Sequence, residues 1–448
     1  MSEDEKIEKR VIHKLHRRLV PLLMLCYCIA YLDRVNVGFA ALTMNKDLGF
    51  SSTVFGMGAG IFFFGYVLFE VPSNLMLVRF GTRITLARIM ILWGLIAAAM
   101  AFIPGETTFY IARFVLGAAE AGFFPGVLFY LSLWFPSAHR GRIVSLFMTA
   151  IPISVVIGSP ISGLLLASDG VMGLHGWQWL FIIEGLPAAV LGLVVLRVLV
   201  DGPAEAPWLL PEERDWLVRR LAGEAAQHAN LRQSNLLLVL LDRRVLIFAC
   251  AYFGLITCTV GISFWLPQII KELGLSNITT GLVSAVPSIG AIAGMLLLGR
   301  MSDRRQERRL HCSSGFLLGA IGLVAAAWTH SPVVQVAAFT LAAFGLQGGQ
   351  PIFWTMPSAA LSGSAAAASL AFINSIGSIA GFIGPTMIGI IRDVSGGFSI
   401  GIIAIAAFAL VAALLVFVVG RNLDDRAAEP DAAEGEPRAG PVVSHLHR

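Results

Sequence analysis

Twelve stretches of about 20 predominantly apolar residues, joined by short polar loops, leave this chain of 448 residues few ways to fold. They run from 19 to 42, 53 to 78, 84 to 103, 108 to 135, 141 to 166, 178 to 200, 245 to 270, 279 to 299, 311 to 329, 332 to 360, 365 to 391 and 398 to 420. Twenty residues of helix match the hydrocarbon thickness of a bilayer, and a backbone in lipid must satisfy its own polar groups, so each stretch is predicted to cross a membrane as a helix. Composition agrees: 56% of residues are hydrophobic, 13% are charged and the mean hydropathy is +0.78, far from the roughly half apolar and quarter charged balance of soluble domains. The expected fold class is therefore an all-α membrane protein of twelve transmembrane helices. No small-residue cleavage site follows the first span, and Asp33 and Arg34 interrupt it, so it reads as a retained helix and not as a signal peptide.

Orientation follows from the loops. Lys6, Lys9, Arg10, Lys14, Arg17 and Arg18 precede span 1, Arg79 and Arg83 follow span 2, Arg140 and Arg142 follow span 4, and Arg300, Arg304, Arg305, Arg308 and Arg309 follow span 8. The alternate loops carry little beyond Lys46, Lys271 and Arg392. Basic residues stay on the cytoplasmic side, which puts both termini there. The net charge of +4 thus reflects orientation in a lipid bilayer and points to no nucleic-acid partner. Residues 1–200 form one six-span half and 245–420 the other. Between them, 201–244 is a polar linker in which PEERDWLVRRLAGEAA reads as a short amphipathic helix on the cytoplasmic face, and 421–448 reads as a disordered tail. An offset of roughly 225 residues lays RFGTR (79–83) near DRRQERR (303–309) and GSPISG (158–163) near GPTMIG (384–389), the weak parallel similarity of alternating-access carriers. Cys26, Cys28, Cys250, Cys258 and Cys312 lie in or beside spans, with neither disulfide nor zinc spacing, and read as small hydrophobes.

The charges at membrane depth are the candidate site. In YLDRVNVGFA (31–40), Asp33 and Arg34 each carry a cost of about 2.5–3.5 kcal/mol at the bilayer centre, so such groups persist mainly where they face a wet cavity with a partner. In RFVLGAAEAG, Arg113 and Glu120 are seven apart, on one helix face with Gly117 between them. A structural ion pair between helices is the alternative reading. Tyr66 lies mid-span, with Glu70 one turn below it and facing Arg79 or a helix end. Glu184, just inside Trp177 and Trp179, reads as capping or interfacial. The second half offers the uncharged Gln347, Gln350, Trp354 and Asn374, each able to meet substrate or only a neighbouring helix. No phosphate-cradling loop, HExxH or nucleophile elbow is present, so no enzymatic activity and no cofactor is expected. The energy source is then an ion gradient or the substrate's own gradient.

YLDRVNVGFA, FFFGYVLFEVPSNL, RFVLGAAEAGFFPG, WQWLFIIEGLPA and FINSIGSIAGFIGP resemble the major facilitator superfamily, and within it the anion:cation symporters. The wording is closest to bacterial chains provisionally assigned to tartrate transport, and is also similar to carriers of galactonate, glucarate, phthalate and hydroxyphenylacetate. The resemblance implies two six-helix bundles in the major facilitator fold. It also implies proton-coupled uptake of a small organic anion, such as tartrate or another hydroxy or sugar acid, across a bacterial inner membrane by a monomer. Asp33 and Glu120 would carry protons, and Arg34 would meet the substrate carboxylate. Tyr31, Tyr66, Arg113, Gln350, Trp354 and Asn374 would complete the substrate-binding set, Asn374 standing where sugar-acid carriers have a substrate-contacting asparagine. The superfamily loop pattern GxxxDRxGRR keeps Arg79, Gly81 and Arg83 after span 2 but has Asn74 and Val78 for its first Gly and Asp. After span 8 it keeps Gly299, Asp303, Arg304 and Arg308, with Gln306 for the second Gly. These are the expected gating residues. An aromatic-acid symporter, an exchanger or uniporter, and a transporter-derived sensor are the alternatives.

Overall fold

The structure is a computed structural model that describes residues 3–228, 242–329, 331–360 and 364–428. Its helices are α1 (Glu3–Leu48), α2 (Ser52–Phe80), α3 (Thr82–Ala99), α4 (Glu106–Glu120), α5 (Phe123–Trp134), α6 (Ser137–Met148), α7 (Ala150–Leu166), α8 (Gly176–Val198), α9 (Pro211–His228), α10 (Arg243–Lys271), α11 (Asn277–Arg305), α12 (Arg309–Trp328), α13 (Pro332–Ala360), α14 (Ser364–Ser395) and α15 (Ser399–Ala428). Among the described residues, twelve helical stretches are long and apolar enough to span a bilayer. They pack as two six-helix bundles. In the first, α3 lies on α8, α2 on α4, and α1 on α7 and α8. In the second, α13 lies on α11 and α12, and α15 on α10 and α12. Residues that a soluble core would bury, such as Leu68, Leu75, Leu95 and Val190, are exposed around the outside, where lipid is their solvent.

Three elements depart from the expected spans. The helix of span 1 begins at Glu3, not near residue 19, because Val11, Leu15 and Leu19 lie four apart and form a buried stripe through an otherwise charged segment. Span 4 is two helices: Gly122 adopts a left-handed conformation (φ 87°) between α4 and α5, and Pro125 has no N–H to offer Ala121. Span 5 is likewise divided into α6 and α7 at Thr149, where Pro152 cannot donate to the Met148 carbonyl. The linker contains the expected helix, α9. Its Glu213 accepts both contacts of Lys14 Nζ at 2.8 Å, and just before it Trp208 stacks on Trp134 of α5 at 5.4 Å. Residues 421–428, read as the start of the tail, instead continue α15, while the linker residues 229–241, Arg232 among them, and the tail from 429 onward lie outside the described residues.

Candidate substrate cavity

A cavity of about 1380 Å³ lies between the two bundles. It opens at the end that carries Glu8, Lys9, His13, Arg142, Arg300 and Arg308, the face of the basic loops. At the other end three helix pairs join the bundles: α1 with α10, α2 with α14 and α7 with α11. Their contact is backbone on backbone. A Cβ at Gly38 would fall 2.6 Å from the Phe264 carbonyl oxygen, and one at Gly163 would fall 2.7 Å from that of Asn277. Asp393 of α14 accepts from Ser52 N and Thr53 N at 3.0 and 2.7 Å, satisfying the first amides of α2 from the opposite bundle.

Arg34 is the cation on the cavity wall. Its Nη2 donates to Glu120 Oε2 at 2.8 Å, with the arginine side chain 22% exposed and the glutamate 1%. Phe62 and Tyr66 place their rings 5.3 Å from the guanidinium carbon. Glu120 is the last residue of α4, an end where the helix dipole disfavours negative charge, so the carboxylate depends on Arg34. Arg34 Nε and Glu120 Oε1 are buried without a hydrogen-bond partner, so each group keeps unused capacity beside the cavity. Tyr31 and Tyr66 stand on the same wall, and Gln347, Gln350, Trp354 and Asn374 face them from the second bundle.

Neighbouring positions on a helix point about 100° apart, and Asp33 accordingly looks away from the cavity. It accepts from Trp93 Nε1 at 2.8 Å and from Asn36 Nδ2 at 3.5 Å inside the first bundle. Arg113 also departs from its expected place. It is 0% exposed, with its guanidinium carbon 4.9 Å from the Phe62 ring and 5.8 Å from that of Phe264. It donates to the carbonyls of Gly58 and Ala59. It shares a helix with Glu120 but lies two turns nearer the closed end, so the expected acid–base strip does not line the cavity as a unit. Glu70 is half-buried and feels the charge of Arg34. Glu184 is neither a cap nor interfacial: it is 3% exposed and hydrogen-bonds Ser162 Oγ at 2.7 Å.

Sequence patterning does not single out Tyr252, yet it lines the cavity and packs edge-on against Trp354 at 4.8 Å. Nothing in the apolar run around it separates a cavity tyrosine from a packed one. His13 and His16 also reach the cavity, because α1 extends past the membrane. Among the expected gating residues, Arg79 is exposed over Phe80, while Gly81 (φ 83°) lies against Asp201. Arg83 donates its backbone N–H to Asp201 Oδ1 at 2.8 Å, so an acid following α8 caps α3. Asp303 pairs with Arg308, and Arg304 is exposed.

The family model described as Major Facilitator Superfamily matches residues 23–385. The chain belongs to the major facilitator superfamily. A protein of Agrobacterium vitis, provisionally named a tartrate transporter, is 51% identical over 416 residues, covering 93% of this chain and 92% of its own. A quinolone resistance transporter of Acinetobacter baumannii is 43% identical over 418 residues, covering 93% and 96%. The crystal structure of a bacterial homolog of the human lysosomal transporter Spinster, inward-facing and unoccupied, matches this facilitator with a TM-score of 0.73 over 91% of this chain and 97% of that one. At 16% identity that likeness concerns the fold alone. The chain is thus a multi-pass membrane transporter of a small molecule, and both its relatives and its fold are those of transporters and not of enzymes.

Proposed function

We propose that this facilitator is an anion:cation symporter that carries a small organic anion together with protons across a bacterial inner membrane, as a monomer with both termini in the cytoplasm. The Arg34–Glu120 pair supports this reading most directly. An arginine at membrane depth is costly to move across the barrier without an anion. In the empty carrier Glu120 is that anion. When a proton neutralises Glu120, the guanidinium is released to take a substrate carboxylate in its planar two-donor fork. Asp33, behind the wall, is the second proton-carrying group. With the basic loops in the cytoplasm, the cavity is open inward. Tyr31 and Tyr66 then flank the carboxylate, and Gln350, Trp354 and Asn374 read the rest of the anion. The Agrobacterium relative favours a hydroxylated acid such as tartrate. Arg113 contributes to anion binding only if Phe62 and Phe264 move apart. Asp303, Arg304, Arg79, Gly81 and Arg83 act where the open end closes.

The rings of Tyr252, Tyr66 and Trp354 on the cavity wall favour an aromatic acid as the second reading. Tartrate and phthalate supplied as competing substrates separate the two. The mechanism is tested by paired counterflow and accumulation in proteoliposomes. One pH unit supplies ~1.4 kcal/mol per proton, so wild type should concentrate its substrate about tenfold for each coupled proton. Glu120→Gln should exchange labelled for unlabelled substrate but not concentrate it. Accumulation at the wild-type level would remove Glu120 from the proton path.

A further inference from the structure

The first bundle holds a second buried carboxyl that the cavity does not use. Glu184 of α8 accepts from Ser162 Oγ at 2.7 Å, while its Oε2 is buried with no hydrogen-bond partner. On α1, Asn36 faces both carboxyls as a donor: its Nδ2 lies 3.5 Å from Asp33 Oδ1, and its side chain also hydrogen-bonds Glu184. Asp33 is in turn held by Trp93 of α3 and feels the charges of Glu184 and Glu120. The groups facing this pair are thus Asn36 on α1, Trp93 on α3, Ser162 on α7 and, further off, Glu120. Among the described residues neither Asp33 nor Glu184 forms an ion pair. Two carboxylates at membrane depth with no cation between them are costly, and adding a proton to one relieves both the burial and the mutual repulsion.

The depths are ordered. At 1.5 Å per residue, Glu184 lies about 12 Å from the closed-end terminus of α8 and Asp33 about 22 Å from that of α1. Glu184 therefore stands between Asp33 and the closed face. Asn36 suits an exchange between them, because its Nδ2 carries two N–H donors and can hold whichever carboxyl is ionised while the other carries the proton.

We propose that Glu184 is a third carboxyl of the proton route, exchanging one proton with Asp33 beside Asn36, and that it connects Asp33 to the face of the protein where the cavity is closed. The step breaks one O–H bond on Glu184 and forms one on Asp33, and nothing else changes. This rests on the symport reading of the same carrier. Glu184 is not among the residues that line the cavity, so it acts on coupling and not on the anion.

The test measures tartrate accumulation, counterflow and infrared pH-difference spectra on purified, reconstituted protein. Glu184→Gln keeps the hydrogen bond to Ser162, so it should fold and exchange substrate. It should lose the roughly tenfold concentration that one pH unit supports in wild type, and one carboxyl C=O band should vanish from the difference spectrum. Glu184→Asp, which restores a titrating group, should recover part of the accumulation. Wild-type accumulation and an unchanged band pattern in Glu184→Gln would overturn the proposal, as would loss of accumulation in Glu184→Gln with no band missing. If wild type itself does not concentrate substrate, the symport reading fails, and the infrared band alone decides whether Glu184 takes up a proton.

Discussion

At the scale of single residues, what matters is which way a charge points. Asp33 and Arg34 are adjacent in sequence, yet the helix turns one toward the cavity and Glu120 and the other toward Trp93. Their presence at membrane depth was legible from sequence because charge stands out in an apolar run. Their separate partners were not, since one residue of helical rotation decides them. For Arg34 a sharp outcome follows. Its Nη2 already serves Glu120 and its Nε is unused, a geometry that a lysine ammonium cannot reproduce. Arg34→Ala leaves Glu120 buried and unpaired, a change that costs about 2–5 kcal/mol in comparable buried pairs. Both Arg34→Lys and Arg34→Ala should therefore abolish uptake of labelled substrate while leaving membrane-inserted, folded protein. Near-normal uptake by the lysine variant would reject two-donor recognition of the anion.

Among elements, α9 shows how a linker helix is fastened to one bundle. Leu217 is fully buried, Trp208 is covered by Arg18 at 5.2 Å, and Glu213 holds Lys14. Burial pushes the Glu213 carboxyl up, but the hydrogen bonds from Lys14 and from the Leu210 N–H and the charge of Arg10 outweigh it, leaving the group below its ordinary value of 4.5. A lowered folded value means the contribution is fully present above 4.5 and is lost as pH falls through the folded value. Docking of α9 should thus be unaffected near neutral pH and weaken in acid. Hydrogen exchange of the α9 amides measures it: Glu213→Ala should raise opening roughly fivefold at neutral pH, about 1 kcal/mol, and remove the acid dependence. Equal exchange in wild type and variant would leave the apolar contacts as the only fastening. The helix itself was legible from Pro211, the acids of its first turn and the spacing of Trp216, Leu217 and Leu221; its partner was not.

Over the whole molecule, the closed end is a set of glycine-mediated contacts and the open end is a set of charged loops. A Cβ at Gly281 would come within 3.0 Å of the Gly163 Cα and closer still to the Ser159 carbonyl, so α7 and α11 can meet only because both positions lack side chains. Gly281→Val should disfavour the arrangement seen here by about 1–3 kcal/mol and shift the population toward opening at this end. A single cysteine placed at Ser284, in a background without the five native cysteines, reports the shift. Its labelling by an impermeant maleimide applied from outside intact cells should be faster in the Gly281→Val background. An unchanged rate would show that these helices close without help from the glycine contact.

The twelve spans, the fold class and the place of the charges followed from the sequence, because the cost of an exposed backbone or a charge in hydrocarbon is local and large and each span meets it alone. The pairing of Arg34 with Glu120, the withdrawal of Arg113 behind Phe62 and Phe264, and the link of Asp33 through Asn36 to Glu184 depend on five helices arriving at set angles and depths. A span's hydropathy averages over all its faces and so carries no record of which face meets which neighbour. Arg113 and Arg34 satisfy the same sequence criterion, an arginine amid apolar residues. Only the packing of α2 and α10 between Arg113 and the cavity sets them apart, since it leaves one guanidinium on the wall and closes aromatic rings over the other.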